Sequence, residues 1–381
     1  MNNPRLSLER IRPSDRSNFV KAKPYVFRIG HLGDTLAAIP ALRVLSKKHS
    51  PTPLTLITNS PAYDSYVTAW DVLKHTGLFD DVLFYETRRP STLIRIASEM
   101  RHSRNPVLYY LPPVGRRHKL RDWTFFRVLC GASIEALDSS APLRRRGPDR
   151  ALVRLPREFE RLLGIFGDQH QPREEVVPPL LNPKPETVTK IDLLLSGLRE
   201  RPLVALGIGS KMPAKKWFFE RYVEIARRVV SSYPFARLIV VGGAEDEAEG
   251  ARLVAAVGLS SALNLAGALD VVECAELLSR CVVYVGNDTG TMHLAGSMGL
   301  RCIAIFTSRD NPGHWEPFGE GHVILRRDLS CSGCMLEQCV ERRMECLNLI
   351  TVDDVWHALE PLLKDAIAHW ENNSANQQVR S

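Results

Sequence analysis

No run of about 20 apolar residues occurs in the chain, so nothing in it reads as a helix able to span a bilayer. The first 24 residues carry charge throughout (Arg5, Glu9, Arg10, Arg12, Asp15, Arg16, Lys21, Lys23) and lack the apolar core of a signal peptide. A cytoplasmic protein is expected. Zinc-finger spacing and the aromatic sheet motif of RNA-binding domains are also missing, which removes the common nucleic-acid modules. With 44% hydrophobic and 24% charged residues, the composition excludes a disordered chain, a collagen and a small disulfide scaffold. At 381 residues there is enough chain for two separate cores.

The charge is unevenly spread. Lys and Arg number 50 against 43 Asp and Glu, a net +7, yet residues 88–150 alone hold fourteen basic and five acidic residues. Such a field suits an anionic partner: a phosphorylated glycolipid, a membrane surface or a nucleic acid. A solvated basic face is the plainer account of the same residues.

Short apolar runs alternate with helical patterns, the mark of parallel sheets covered by helices. Tyr25–Ile29, Leu54–Thr58, Val82–Tyr85 and Val107–Leu111 read as strands, and Thr35–Lys48 as a helix. Residues 138–185 are rich in Pro and Arg and read as irregular connection. A second series follows: strands at Leu203–Ile208, Arg237–Val241, Val282–Val285 and Cys302–Phe306; helices at Phe218–Val230, Ala244–Val257, Val271–Arg280 and Met292–Met298. Val352–Trp370 makes a last helix, and Glu371–Ser381 a polar tail expected to be mobile. The expected architecture is α/β: two Rossmann-like domains facing across a cleft, with ligand beyond the carboxyl ends of the strands. The boundaries read as a basic extension at 1–24, an N-terminal Rossmann-like domain with linker at 25–185, a C-terminal Rossmann-like domain at 186–350, and a helix and tail at 351–381.

Four strand ends carry chemistry. In Arg28-Ile29-Gly30-His31-Leu32-Gly33-Asp34 the glycines permit a tight turn, and Asp34 stands where an aspartate caps a helix or serves as a base. Gly207-Ile208-Gly209-Ser210 followed by Lys215-Lys216-Trp217 suits a diphosphate, although the Gly-Lys-Ser/Thr ending of a Walker loop is missing. Val241-Gly242-Gly243-Ala244-Glu245 puts an acid where ribose hydroxyls can bind, or where a helix dipole favours it. The most specific is Gly286-Asn287-Asp288-Thr289-Gly290-Thr291-Met292-His293, a polar turn opening a helix whose N–H groups suit phosphate.

Taken in order, Arg28-x4-Gly33-Asp34, Gly209-Ser210…Lys215-x-Trp217, Gly242-Gly243-x-Glu245 and Asp288-Thr289-Gly290-x-x-His293 resemble glycosyltransferase family 9, the ADP-heptose:lipopolysaccharide heptosyltransferases and relatives. The likeness covers roughly 25–85 and 200–310. It implies a GT-B fold and an inverting, metal-independent transfer from a nucleotide-diphospho-sugar. By the same resemblance Asp34 is the catalytic base, Lys215 neutralises the diphosphate and Ser210 belongs to the phosphate loop. Glu245 is then the ribose contact, and Asp288, Thr289, Gly290 and His293 form the donor loop. Gly207-Ile208-Gly209-Ser210 departs from the commoner Pro-Gly-Ala/Ser form of that loop.

The chemistry is coherent. Inversion needs a carboxylate to take the acceptor's proton while the diphosphate leaves from the opposite face. No Asp-x-Asp motif is present to hold a divalent ion, so Lys215 and the helix after Gly290 are expected to meet the charge, with no catalytic cofactor. Arg28, Arg116, Arg117 and Lys119 are candidate contacts for an anionic glycolipid acceptor, which places the enzyme at the cytoplasmic face of the inner membrane. Trp123, Phe126 and Cys130 share helical spacing and read as a core face. Cys331-x2-Cys334-x4-Cys339-x6-Cys346 could enclose a structural Zn or Fe ion, or remain reduced thiols. Cys130, Cys274, Cys281 and Cys302 read as small buried hydrophobes.

Two other readings stay open: a family 9-like transferase with another nucleotide-sugar and a protein, polysaccharide or metabolite acceptor, or a silent nucleotide-binding protein. Retention of Asp34 and Lys215 together argues against the silent one.

Overall fold

The computed structural model describes residues 22–60, 67–111, 119–137, 145–166, 176–198 and 201–378. Numbered in chain order, the first half contains β1 (Pro24–Phe27), α1 (Leu32–His49), β2 (Leu54–Thr58), α2 (Ala69–Leu73), β3 (Phe79–Phe84), α3 (Pro90–His102), β4 (Val107–Tyr110), α4 (Lys119–Thr124) and β5 (Ser133–Leu137). Its five strands pair in the order β3-β2-β1-β4-β5, all parallel. Both faces are covered, which is why β1, β2 and β4 are buried at every position rather than at alternate ones.

The connection expected to be irregular contains a helix, α5 (Glu158–Gly164), and α6 (Pro185–Leu194) follows it. Phe159, Leu162 and Leu163 in α5 repeat at helical spacing and are buried, a signal that the surrounding Pro and Arg obscure. The second half contains β6 (Leu203–Gly207), α7 (Phe219–Ser232), β7 (Arg237–Val240), α8 (Glu247–Val257), β8 (Ala262–Asn264) and α9 (Val271–Ser279). It continues with β9 (Val283–Asn287), α10 (Gly290–Ser297), β10 (Cys302–Phe306), β11 (Val323–Arg326), α11 (Glu345–Asn348) and α12 (Val352–Gln378). Its six strands run β11-β10-β9-β6-β7-β8, again parallel.

The backbone of α12 runs on to Gln378, where a mobile tail from Glu371 was expected. Residues 371–378 contain neither Gly nor Pro, so nothing in them stops a helix. Residues 1–21 of the basic extension lie outside the described residues. No helix among the described residues is long and apolar enough to cross a membrane.

Three buried clusters fill the space between the layers. One lies on the outer face of the first sheet, under Phe125, Phe126, Ile96 and Met100. Another lies on the far face of the second sheet, under α7, α8 and α12. The third is shared: Leu36 and Ile39 of α1, Phe159 and Leu162 of α5, and Met292 and Leu294 of α10 belong to one continuous core. The halves therefore meet through packed apolar side chains beneath the cleft.

Candidate active site

In each sheet the order reverses beside its first strand: between β1 and β4, and between β6 and β9. Ligands of open parallel sheets bind outside the carboxyl ends at such points. Every expected catalytic residue emerges there, Asp34 after β1, Lys215 after β6, and the Asp288–His293 turn after β9.

Helix α1 begins at Leu32, so Asp34 is its third residue, and its Oδ2 accepts a hydrogen bond from His31 N at 3.1 Å. Asp34 is half-buried. The first turns of α1 and α10 face each other closely. A Cβ on Gly33 would stand 2.6 Å from His293 Cδ2, and one on Gly290 would stand 2.9 Å from Leu32 Cδ2. Glycine is needed at both positions because helix starts from opposite halves touch there.

On the far side Lys215 Nζ lies 2.6 Å from Asp288 Oδ2, and His293 Nε2 lies 3.8 Å from Asp288 Oδ1. Burial pushes the His293 imidazole below its ordinary value; Asp288 and Asp34 oppose that shift, while Lys215 and His314 reinforce it. His293 thus lies within electrostatic reach of Asp34 on one half and of Lys215 on the other. Thr289 caps α10 in an extended conformation without a side-chain cap bond, its hydroxyl lying 3.1 Å from Thr291 Oγ1. The first N–H groups of α10 are therefore left for a ligand.

Ser210 Oγ donates to Met212 O at 3.0 Å and accepts from Met212 N at 3.2 Å, bracing its own loop. Glu245 is exposed, 3.8 Å from Lys211 Nζ. Its neighbour Asp246 is buried and accepts from Gly243 N. A Cβ on Gly209 would stand 1.9 Å from that carboxylate, so the two glycine loops are packed through Asp246.

Sequence reasoning missed three residues. Asn287 is buried: its Oδ1 accepts from Trp217 N and Tyr222 Oη, both at 2.9 Å, and its Nδ2 donates to Ile208 O and Gly209 O. It locks the Lys215 loop to the Asp288–His293 turn. Asp310 is buried; burial, with Asp288 beside it, raises its carboxyl above the usual range against the pull of Lys215, Arg309 and Arg326.

The third is Glu158 of α5, a hub between the halves. Its carboxylate accepts from Arg161 at 2.6 and 2.8 Å and lies 3.6 Å from both Arg28 Nη2 and His314 Nε2. Burial disfavours its charge, but Arg161, Arg28 and His314 together outweigh burial and hold it below the usual carboxylate range. Its backbone N–H also donates to His314 O at 2.9 Å. Arg157 and Arg161 flanking an apolar repeat was the available signal.

That hub corrects the expectation for Arg28. Its side chain is fully buried and donates to Leu111 O and Asp34 O, so it fixes the Asp34 loop from behind and is out of an acceptor's reach. Arg116 and Arg117 lie outside the described residues; Lys119 opens α4 and is partly exposed. Trp123 is also corrected. The inward positions are Asp122, Phe125, Phe126 and Cys130, because the helix widens into a π turn at Phe125–Leu129, and Trp123 falls off that face.

The four clustered cysteines do not assemble an ion cage. None forms a disulfide, and among the described residues no three His, Cys, Asp or Glu side chains converge as metal ligands. The 16-residue stretch is spread through turns, with Met335, Arg343 and Met344 at positive φ. The structural Zn or Fe expectation is therefore unsupported. Cys130, Cys281 and Cys302 are buried as expected, and burial pushes the Cys130 thiol up to about 12; Cys274 is half-buried.

Comparison with known proteins agrees with this fold. Residues 159–345 match the family model described as glycosyltransferase family 9 (heptosyltransferase). Lipooligosaccharide heptosyltransferase 2 of Haemophilus influenzae is 29% identical over 160 residues, covering 40% of this chain and 45% of that protein. Lipopolysaccharide heptosyltransferase 2 of Escherichia coli is 28% identical over 131 residues, 33% of this chain and 37% of the relative. The matched stretch thus spans less than half the length of these curated relatives. In three dimensions, E. coli ADP-heptose lps heptosyltransferase II superposes with a TM-score of 0.63 at 16% identity, covering 90% of this chain and 99% of that one. A glycosyltransferase family 9 structure from Veillonella parvula gives 0.66 at 18% identity, covering 90% and 98%. The architecture is the GT-B fold, and the chain belongs to glycosyltransferase family 9, the heptosyltransferase family.

Proposed function

We propose that the chain transfers a heptose from ADP-heptose to a lipopolysaccharide core acceptor, with inversion at the anomeric carbon. The observation that carries the reading is the meeting of Asp34 with the Lys215, Asp288 and His293 cluster across one cleft. The acceptor oxygen forms a bond to the anomeric carbon as the bond from that carbon to the diphosphate oxygen breaks. The acceptor's proton passes to Asp34, and the electron pair leaves with the diphosphate. Lys215 and the N–H groups opening α10 stabilise the departing charge, so the step needs no metal. Ser210 shapes the phosphate loop, Glu245 meets the ribose, and Thr289, Gly290 and His293 line the donor site. The donor binds residues 186–350 and the acceptor 25–185, with Lys119, Arg116 and Arg117 on the acceptor side.

Asp34→Asn tests the reading. Heptose transfer is expected to fall at least 100-fold, general-base catalysis being worth about 10²–10⁴. ADP affinity measured by calorimetry should stay within about twofold, because the nucleotide is held by the other half. Transfer at near wild-type rate by Asp34→Asn would remove the base assignment. Tight preference for UDP-sugars would remove ADP-heptose as donor.

A further inference from the structure

We propose that the outer surface formed by α3, α4 and the following π turn docks the protein on an anionic phospholipid bilayer. The inference deepens the proposed function and takes its biological sense from a lipid-anchored acceptor. Its physical basis is a group of exposed apolar side chains gathered on neighbouring elements. Leu120 is 78% exposed, Ile94 68%, Val128 56%, Leu129 52% and Trp123 40%. Leu120 and Trp123 are three residues apart and share a helix face. Ile94 and Arg101 share a face of α3, and the Arg101 guanidinium donates to Val128 O and Leu129 O, which joins that face to the end of the π turn. Other exposed apolar side chains, such as Phe235 and Leu259, stand at turns away from it.

The charge around these residues is predominantly positive. Between residues 88 and 129 the sequence has ten Lys or Arg and two acids. One acid, Asp122, is fully buried and accepts from Tyr85 Oη at 2.8 Å and Tyr110 Oη at 2.7 Å; the other, Glu99, is half-buried. Arg95 and Arg127 are exposed among the apolar side chains, while Arg121 pairs with Asp122 at 3.1 Å. Apolar groups that enter the headgroup boundary, ringed by cations, fit an anionic interface. A second copy of this chain fits poorly, because a two-fold contact would bring the same cations together.

Position gives the surface its use. Asp122 pins α4 to tyrosines at the carboxyl ends of β3 and β4, the sheet edge from which the Arg28–Asp34 loop also emerges. Docking there would bring the base side of the cleft toward molecules anchored in the membrane.

The test is flotation of the full chain with vesicles of equal parts phosphatidylglycerol and phosphatidylcholine, against phosphatidylcholine alone, without donor or acceptor. Binding to the anionic vesicles is expected, weakening steeply between 50 and 500 mM salt. Leu120→Gln with Trp123→Gln should lower the partition at least tenfold. Arg95→Gln and Arg127→Gln should each lower it about fivefold. All these side chains are exposed, so an unchanged melting temperature confirms that folding is intact. Equal binding to neutral vesicles, or no loss in the variants, would overturn the proposal. So would a dimer that the Leu120 and Trp123 changes dissociate. Because the assay involves no sugar transfer, failure to bind lipid and failure of the transferase reading are separate results.

Discussion

Replacing Glu158 should uncouple the two halves from the inside. The carboxylate is surrounded by Arg161, Arg28 and His314, and Arg28 has no access to water. Glu158→Ala removes the carboxylate beside the Arg28 guanidinium, which also donates to Leu111 O and Asp34 O. Breaking a buried pair by removing one member costs about 3–5 kcal/mol, since the other charge stays desolvated. Arg161 is partly exposed and can turn to water, so the loss is expected near the lower end for it and the upper end for Arg28. Glu158→Gln keeps one acceptor oxygen and should cost about 2 kcal/mol.

The pH dependence has a definite sign. The folded carboxyl titrates below the unfolded value of about 4.3, so its contribution is present above that pH and disappears as the pH falls through the folded value. Denaturant unfolding at pH 7 should show both losses, and the gap between wild type and Glu158→Gln should narrow below about pH 4. A Glu158→Ala protein within 1 kcal/mol of wild type at pH 7, or a gap that ignores pH, would refute the account. Loss of Arg28 support should also displace Asp34 and lower transfer, with ADP affinity less affected.

Gly33→Ala should push the His293 imidazole aside, since the new Cβ would stand 2.6 Å from Cδ2. Transfer kcat/KM is expected to fall about 10–100-fold with a small change in melting temperature, and a fully active variant would contradict the close approach. Asn287→Ala strands the Trp217 N–H and the Tyr222 hydroxyl in a buried site; about 3 kcal/mol should be lost in denaturant titration. Burial, with Lys48 beside it, pushes His49 down to about 4, so the unfolded chain takes up a proton between pH 6.5 and 4 that the folded one refuses. Stability should drop by up to roughly 3 kcal/mol over that range, and His49→Gln, which can keep a donor toward Tyr109, should flatten the slope of melting temperature against pH.

The parallel sheets were legible because buried strands write themselves as continuous apolar runs, as in Leu54–Thr58 and Cys302–Phe306, whose bounds were read directly. The placing of Asp34, Lys215 and the Asp288–His293 turn at strand ends was legible because each follows an apolar run that stops at a glycine-bearing loop. The parts missed depend on contacts between distant segments. Glu158 lies in a stretch whose Pro and Arg content reads as a linker, and its meaning comes from Arg28 and His314, 130 and 156 residues away. Asn287 was visible inside the donor motif, but its tie to Ile208 and Gly209 was not. Trp123 was assigned inward by a period of 3.6, which a π turn breaks.

The Lys215–Asp288 pair leaves the donor turn nearly balanced in charge before any anion arrives: one cation, one carboxylate and an imidazole that burial keeps neutral. A diphosphate bound there, as proposed, would meet Lys215 and aligned amide dipoles that act over a few ångströms, in a partly buried site that salt screens less than an open surface. The outer helices carry an excess of arginines whose pull reaches about a Debye length and fades when salt is added. Ionic strength should therefore separate the molecule's two attachments, loosening its hold on a charged sheet of lipid while its grip on the nucleotide hardly changes.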